Sequence, residues 1–594
     1  MARITEAAGL TGWVRNQSGT VRLVLEGPVE VVDRFMKRLE SELPPRASLE
    51  GVHVLSREFV KPSQVSEMFT ILDSASDRSM RISIPADLAI CPQCMKEVLS
   101  PSSRFYRYPF TTCTDCGPRY TVVETMPYDR ERTALRDFPL CSKCMEEYTD
   151  PGNRRFHAES IACPVCGPEL AWRGQEGNLI SAEDPLEEAR KAISEGAVVA
   201  VKGLGGFLLV ADASNREVLK KLRKRKNRPA KPFAVMASNL SVLKKQCLVS
   251  AEEEELLSSP EAPIVVLRTA DNPSLPLDLL APGLNNLGVM LPTTPLHLLL
   301  AESTGDDSTG SFDFLLMTSG NRGGEPVCTS NEEALTRLKG IADFFLLHNR
   351  RINLRNDDSL AVVNHSGVQI WRRARGYAPN AVSLSFPLKK TVLAMGAELK
   401  NTICLGFDNE AVLSPHTGDL ETPEALDGLE QVVKNFPEYF GKAPDTIVTD
   451  LHPDMHSTRL GMRLAAELGV PLLQVQHHYA HALAIMCEHR LKEAVALVFD
   501  GTGLGTDGTI WGGELLHVRE TEWTRLGTLA PAILPGGDAA VLRPAIQLIA
   551  RFWQQGLAVD KRWQRRLGVT SEELRLWKTQ FERRINCYTT HAAG

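Results

Sequence analysis

Thirteen cysteines stand in this 594-residue chain, and eight of them fall into one repeating pattern. Cys91, Cys94, Cys113 and Cys116 recur fifty residues later as Cys141, Cys144, Cys163 and Cys166. Each half reads Cys-x2-Cys-x18-Cys-x2-Cys, and the repeat extends to Met95 and Met145, Pro101 and Pro151, and Arg104 and Arg154. Two cysteines separated by two residues can turn both sulfurs toward one point, and two such turns complete a tetrahedron. Four thiolates leave no position for water, so the pattern predicts two structural zinc ions. Metal binding would stand in for the apolar core that residues 91–166 lack. The same segment carries ten Lys/Arg and ten Asp/Glu, no cationic surplus for a phosphate backbone. Spacing leaves open whether a zinc is held within one half or across both; one half is the simpler arrangement.

A second constellation lies late in the chain. HHYAHALAIMCEHRL reads as a helix after the strand-like PLLQVQ, which puts His477 and His481 one turn apart on one face. Nineteen residues after His481, the apolar strand AVALVF ends at Asp500. Two imidazoles and a carboxylate suit iron, zinc or a similar ion with open positions. The following GTGLGTDG, with Gly501, Gly503 and Gly505, reads as a turn over 501–508 whose backbone N–H groups can wrap phosphate oxygens. GAELKNT at 396–402 reads as a similar cradle. Three weaker elements lie between the two constellations. KGLGGF begins with Lys202 after an apolar strand, and its glycines let backbone approach a phosphate or carbonyl. KKLRKRKNRPAKPF carries Lys226, Arg228 and Lys231, and MTSGNRGGEP places Ser319 and Asn321 after the strand FLLM.

These residues need several bodies to hold them. Length alone suggests roughly three to five domains. Residues 1–80 alternate apolar runs at 21–25 and 52–55 with an amphipathic stretch at 28–43, a small α+β unit. Residues 88–170 hold the cysteines, and the polar 168–185 reads as a linker. Residues 184–375 alternate strands such as AVVAVKG with helical stretches, an α/β domain. A proline-bearing joint at 376–390 leads into a further α/β domain over 391–594. A net charge of -6 gives no global attraction to nucleic acid or anionic membrane. No stretch has the apolar length of a membrane span, and the first residues lack the order of a secretory signal. Cysteine-rich sequence without such a signal points to the cytoplasm, where thiols bind metal.

The three elements around Lys202, Lys226 and Ser319 together resemble the YrdC/Sua family, which activates a carbamate-like acid with ATP as an acyl-adenylate. Its K-x-R motif falls on Lys226 and Arg228 and its S-x-N motif on Ser319 and Asn321, with Lys202 in the ATP-binding part. Positive groups there would stabilise the charge that develops as pyrophosphate leaves. The late domain resembles ASKHA-fold carbamoyltransferases and tRNA threonylcarbamoyl transferases, which implies His477, His481 and Asp500 as metal ligands, iron or zinc. The whole order resembles the HypF family of hydrogenase maturation. It implies a partial acylphosphatase-like domain, a twin zinc-finger region, a YrdC-like α/β domain and an incomplete ASKHA-type, Kae-like transferase domain. It also implies a relay from carbamoyl phosphate through carbamate and carbamoyl-adenylate to the C-terminal cysteine of a HypE-like acceptor. Enclosure would protect such labile intermediates. Asn16 matches that family's water-orienting asparagine, but no phosphate-loop arginine precedes it, and Arg3 has no glycine loop around it. The expectation is therefore a chain cut short at both ends, with little more than one transferase lobe and an acylphosphatase-like domain that lacks its phosphate-loop arginine. The competing readings are an RNA-binding or tRNA-modifying protein, with weak RNA contact through the YrdC-like domain, and a non-catalytic scaffold.

Overall fold

A three-stranded sheet opens the chain. Thr11–Gln17 pairs antiparallel with Thr20–Glu26 and parallel with Phe69–Ala75. The amphipathic stretch forms the helix Val29–Arg38, capped by Pro28, and it buries Phe35 with Leu10 and Leu39. The apolar run at 52–55 forms no strand: Val52, Val54 and Leu55 are exposed. The third strand comes instead from Phe69–Ala75, whose Phe69 is buried. The structure, a computed structural model, describes residues 2–17, 20–39, 51–59, 68–75, 84–302 and 310–592. It divides into two compact units, residues 1–381 with 412–443, and residues 382–411 with 444–594.

In the first unit, both cysteine repeats start a helix at their first cysteine. Pro92–Leu99 follows Cys91 and Ser142–Thr149 follows Cys141. The Cys91 thiol accepts the N–H of Cys94 as an N-cap, so the helix end turns two sulfurs inward and its dipole favours thiolate. The two repeats then diverge. The first shares a core with Trp172, Leu186, Ile193 and Leu296 of the adjoining α/β domain, while the second packs Phe105, Tyr108, Phe110 and Ile161 around Cys144 and Cys163.

That α/β domain is one ten-stranded mixed sheet. Its central strands Ala234–Ala237, Phe314–Ser319, Phe207–Asp212 and Val199–Lys202 lie side by side and antiparallel, almost entirely buried. Runs without polar alternation are what a sheet covered on both faces requires. The stretch expected as a linker at 168–185 contributes the edge strand Leu170–Gly174, paired antiparallel with Phe344–His348. Trp172, 3% exposed, stacks on Phe344 and ties this polar segment to the core.

The joint at 376–390 holds the first boundary between the units, but the chain returns to the first unit over 412–443, which the sequence reading did not anticipate. The returning helix Pro423–Tyr439 starts at Thr422, whose hydroxyl donates to the Gly324 carbonyl beside the Ser319–Asn321 turn. In the second unit, Val392–Ala394 lies antiparallel to Cys404–Phe407 and parallel to Thr446–Asp450, which is parallel to Leu472–Val475. A separate sheet combines Glu493–Leu504, Ile510–Arg519, Cys587–Thr590 and Ala532–Pro535, with Trp523–Thr528 beside Ile510–Arg519. The five-stranded sheet carries two apolar clusters, one around Val498 and Trp511 and one around Leu534 and Ile549. The helix His477–Glu488 packs Ala482 and Met486 against Val498 and Trp511, which fixes the imidazoles against the strand that bears Asp500.

Candidate functional sites

The eight cysteines form two clusters, each from one repeat. Sulfur separations are 3.6 Å for Cys91–Cys113, 3.5 Å for Cys94–Cys116 and 3.8 Å for Cys113–Cys116. They are 3.7 Å for both Cys141–Cys163 and Cys163–Cys166. A tetrahedron with bonds of about 2.3 Å has edges near ~3.8 Å, so both clusters fit zinc. A disulfide would need about 2.05 Å. All four sulfurs of the first cluster are buried, whereas Cys141 and Cys166 of the second are half-buried.

Sequence reading matched Arg104 with Arg154 but gave neither a task. The fold crosses them over. Arg154 donates to Cys94 Sγ through both Nη atoms at 3.3 Å and pairs with Glu97, while Arg104 donates to Cys144 Sγ at 3.4 and 3.5 Å and pairs with Glu147 at 2.9 Å. Each repeat therefore sends a guanidinium to the sulfurs of the other. Burial disfavours charge on both arginines, yet the facing sulfurs and carboxylates hold both guanidines above their ordinary range. Burial pushes the Cys144 thiol up, and Arg104 opposes it.

Within the α/β domain, four of the expected residues meet. Lys226 follows the helix Arg216–Arg225 and is 4% exposed. Its Nζ donates to the Ser319 carbonyl, to Ser319 Oγ at 3.4 Å and to Asn321 Oδ1 at 3.0 Å. Ser319 Oγ donates to Asn321 Oδ1 at 2.8 Å. Arg228 lies over the Phe233 ring and reaches Thr318 Oγ1 at 3.4 Å. Burial, reinforced by the Arg228 charge, pushes the Lys226 ammonium down to about 7, and burial holds Arg228 at about 10. Such crowded cations suit a polyanion that arrives with its own charge.

Lys202 does not join this cluster. Its strand ends in a tight turn closed by Gly203 N–H donating to the Gly206 carbonyl, and its ammonium donates instead to the His348 carbonyl at 3.2 Å. The glycines answer packing rather than an open cradle: a Cβ on Gly205 would lie 2.2 Å from the Asn356 carbonyl oxygen.

In the second unit, the three expected ligands converge. His477 Nε2 lies 3.2 Å from His481 Nε2 and 3.0 Å from Asp500 Oδ2, and His481 Nε2 lies 3.9 Å from the same oxygen. His477 Nδ1 faces Asp450 Oδ2 at 2.6 Å. That hydrogen bond, with N–H on Nδ1, leaves Nε2 as a lone pair, the arrangement of a metal-ligating histidine with a carboxylate behind it. Asp450 and then Asp500 push the His477 imidazole up to about 9, so a metal there displaces a proton. The donors, two nitrogens and one oxygen, fit a borderline divalent ion. Asp450 was missed from sequence; its one signal is a carboxylate at the end of the apolar strand Thr446–Asp450.

The glycine turn after Asp500 is shorter than expected. Gly501 and Gly503 belong to the strand Glu493–Leu504, and only 505–509 turns, closed by Gly505 N–H donating to the Thr509 carbonyl at 2.8 Å. A register shift between Phe499 and Gly503 carries the ladder on to Gly503↔Trp511 and Leu504↔Ile510. A Cβ on Gly503 would lie 2.6 Å from His478 Cε1, so this glycine lets the strand approach the metal-bearing helix. Asn16 lies in Thr11–Gln17 opposite Val21.

Twin cysteine fingers, a mixed α/β sheet with a lysine–serine–asparagine cluster and a two-histidine, one-carboxylate site define a multidomain α/β protein built to hold metal. Comparison with known proteins supports each part. An acylphosphatase model matches residues 1–71, and the HypF finger model matches 90–123 and 140–172. The Sua5–YciO–YrdC model, described as telomere recombination, matches 191–374. The HypF Kae1-like domain matches 387–488, and the second subdomain of the Kae1-like carbamoyltransferase domain matches 496–594. Carbamoyltransferase HypF2 of Cupriavidus necator is 44% identical over 91% of this chain and 68% of its own length. Carbamoyltransferase HypF of Synechocystis sp. is 42% identical over 93% of this chain and 70% of its own. A crystal structure of full-length HypF in the phosphate- and nucleotide-bound form superposes with a TM-score of 0.87 at 36% identity, covering 100% of this chain and 76% of that one. The chain belongs to the HypF family of carbamoyltransferases. The match runs through nearly all of this chain and through 68%, 70% and 76% of those three relatives' own lengths. Among the described residues, no helix is long and apolar enough to cross a membrane.

Proposed function

We propose that this carbamoyltransferase adenylates carbamate, derived from carbamoyl phosphate, with ATP and passes the carbamoyl group to the C-terminal cysteine of a HypE-like acceptor. The observation that carries the reading is the buried Lys226 bonded to the half-buried Ser319 and Asn321, with Arg228 beside them. A carbamate oxygen attacks the α-phosphorus of ATP, a P–O bond forms, and the α–β anhydride bond breaks to release pyrophosphate. Lys226 and Arg228 are placed to stabilise the charge that collects on that leaving group, and Ser319 and Asn321 to orient the acid by hydrogen bonds. The acceptor thiolate then attacks the carbamoyl carbon, and the C–O bond to AMP breaks. In the second unit His477, His481 and Asp500 would hold a metal ion, which supplies Lewis-acid polarisation when bound. Asp450 keeps the His477 ring in its ligating tautomer. Asn16 is assigned to the first, phosphate-releasing step by resemblance alone.

Isotope exchange between ATP and pyrophosphate tests this directly. Exchange that requires carbamoyl phosphate or carbamate, and that falls by roughly 100-fold or more in Lys226→Ala while both zinc equivalents are retained, is the expected result. Unchanged exchange in that variant, or salt-sensitive RNA binding in place of exchange, would refute it.

A further inference from the structure

A second group of buried cations lies apart from the Lys226 cluster. Where the first cysteine finger meets the α/β sheet, a small cavity of about 30 Å³ is walled by Thr112 and Pro118 on the finger side. Lys202, Thr293, His348 and Arg350 wall it on the sheet side. Lys202 and Arg350 are 4% and 5% exposed. No acidic residue lines the space. Arg350 rests over the Phe110 ring, and its buried Nε has no hydrogen-bond partner; Lys202 reaches one carbonyl, that of His348. The two charges act on one another. Burial and then the Arg350 charge push the Lys202 ammonium down to about 8, and burial holds Arg350 at about 10 against the partial support of Tyr108 and Asp87. His348 adds no further positive charge, because burial and both neighbouring cations keep its imidazole neutral. Buried cations are costly unless they have partners, and other buried arginines of this unit have them: Arg155 pairs with Glu97, Arg375 pairs with Asp358, and Arg223 donates to the carbonyls of Leu279, Arg228, Lys231 and Leu280.

We propose that this cavity is a binding site for a small oxyanion, held between Lys202 and Arg350 and separate from the Lys226–Ser319–Asn321 cluster. Its ligand chemistry is that of a compact anion with two or three oxygens free to accept N–H donors. Carbonate-like anions and inorganic phosphate share that chemistry. The assignment of carbamate as the natural occupant rests on the proposed function; the anion site itself does not. Because Cys116, a member of the first metal cluster, forms part of the wall with Gly117 and Pro118, that cluster shapes the site.

Calorimetric titration of the full chain tests it, with sodium bicarbonate and sodium phosphate as separate probes. Lys226→Ala with Arg228→Ala silences the other cation cluster. In that background one anion site should remain, and adding Lys202→Met should weaken it by about tenfold or more. Saturation by bicarbonate alone marks a carbonate-like occupant, and saturation by phosphate alone marks phosphate. Arg350→Met should behave alike; should it fail to retain two zinc equivalents, Lys202→Met decides. Absence of any anion site in the doubly substituted background, or binding indifferent to Lys202→Met, overturns the proposal. Either result leaves carbamate-dependent pyrophosphate exchange in the wild-type chain to be judged on its own, so the two readings fail separately.

Discussion

Arg154→Gln should loosen the zinc of the other repeat, not of its own. The substitution removes two N–H donors at 3.3 Å from Cys94 Sγ and the ion pair with Glu97, on a side chain 24% exposed. A hydrogen bond to a charged acceptor contributes about 1.5–3 kcal/mol, and partial exposure puts this pair toward the lower half. Glutamine restores no charge, and Glu97 keeps Arg155 as a partner, which limits the further loss. A net of about 1.5–2.5 kcal/mol corresponds to roughly 10–70-fold weaker retention of metal by the cluster of Cys91, Cys94, Cys113 and Cys116. Chromogenic chelator competition on the holoprotein reads this as one of two zinc equivalents released early. Cys141→Ser, which disables the second cluster, assigns that phase. Early loss from the Cys141 cluster, or release kinetics identical to wild type, would refute the crossed-arginine account. Arg104→Gln should give the mirror result at the Cys141 cluster, through the bonds to Cys144.

Two further outcomes follow from the other sites. Since Lys226 sits at about 7 in the unliganded site, ATP binding above that pH should take up a proton, and affinity should fall by up to about tenfold per pH unit as pH rises. Calorimetry in buffers of different ionisation enthalpy measures the uptake, and Lys226→Arg should abolish it. Asp450→Asn, which replaces the carboxylate 2.6 Å from His477 Nδ1, should cost about 10–100-fold in metal affinity of the second unit with helix content unchanged. Metal content after graded dialysis, beside circular dichroism, reads both.

What the sequence disclosed depended on how local each signal is. The cysteine clusters are periodic and close in sequence, so their grouping could be read directly, although pairing within one repeat was settled only by sulfur distances. Lys226 and Ser319 are 93 residues apart, and neither motif says that antiparallel pairing of neighbouring strands brings them into hydrogen-bond contact. His477 and His481 were legible because one helix turn separates them. Asp450 was not, because parallel pairing of Thr446–Asp450 with Leu472–Val475 places it across from the helix start. Polar composition disguised Leu170–Gly174 as a linker, since an edge strand needs only one anchoring face, here Trp172. The return of 412–443 to the first unit leaves no compositional trace at all.

The asymmetry between the two repeats explains why both are kept without invoking nucleic acid. A duplicated finger that served only to bind metal would need nothing from its twin. Here the first cluster is fully buried and shares the core of the α/β sheet, while the second, half-buried, has a core of its own that meets the sheet at the edge-strand Leu170. The second repeat instead supplies Arg154 and Arg155, which meet the thiolates and Glu97 of the first. Four thiolates around one divalent ion carry a net charge of about -2, and burying that charge in an apolar core is unfavourable without a cation beside it. The first repeat cannot supply that cation from its own copy of the arginine, because Arg104 points to Cys144. One finger thus packs into the α/β domain and the other neutralises its charge, and deleting the outer repeat should unsettle the inner sheet rather than merely trim the surface.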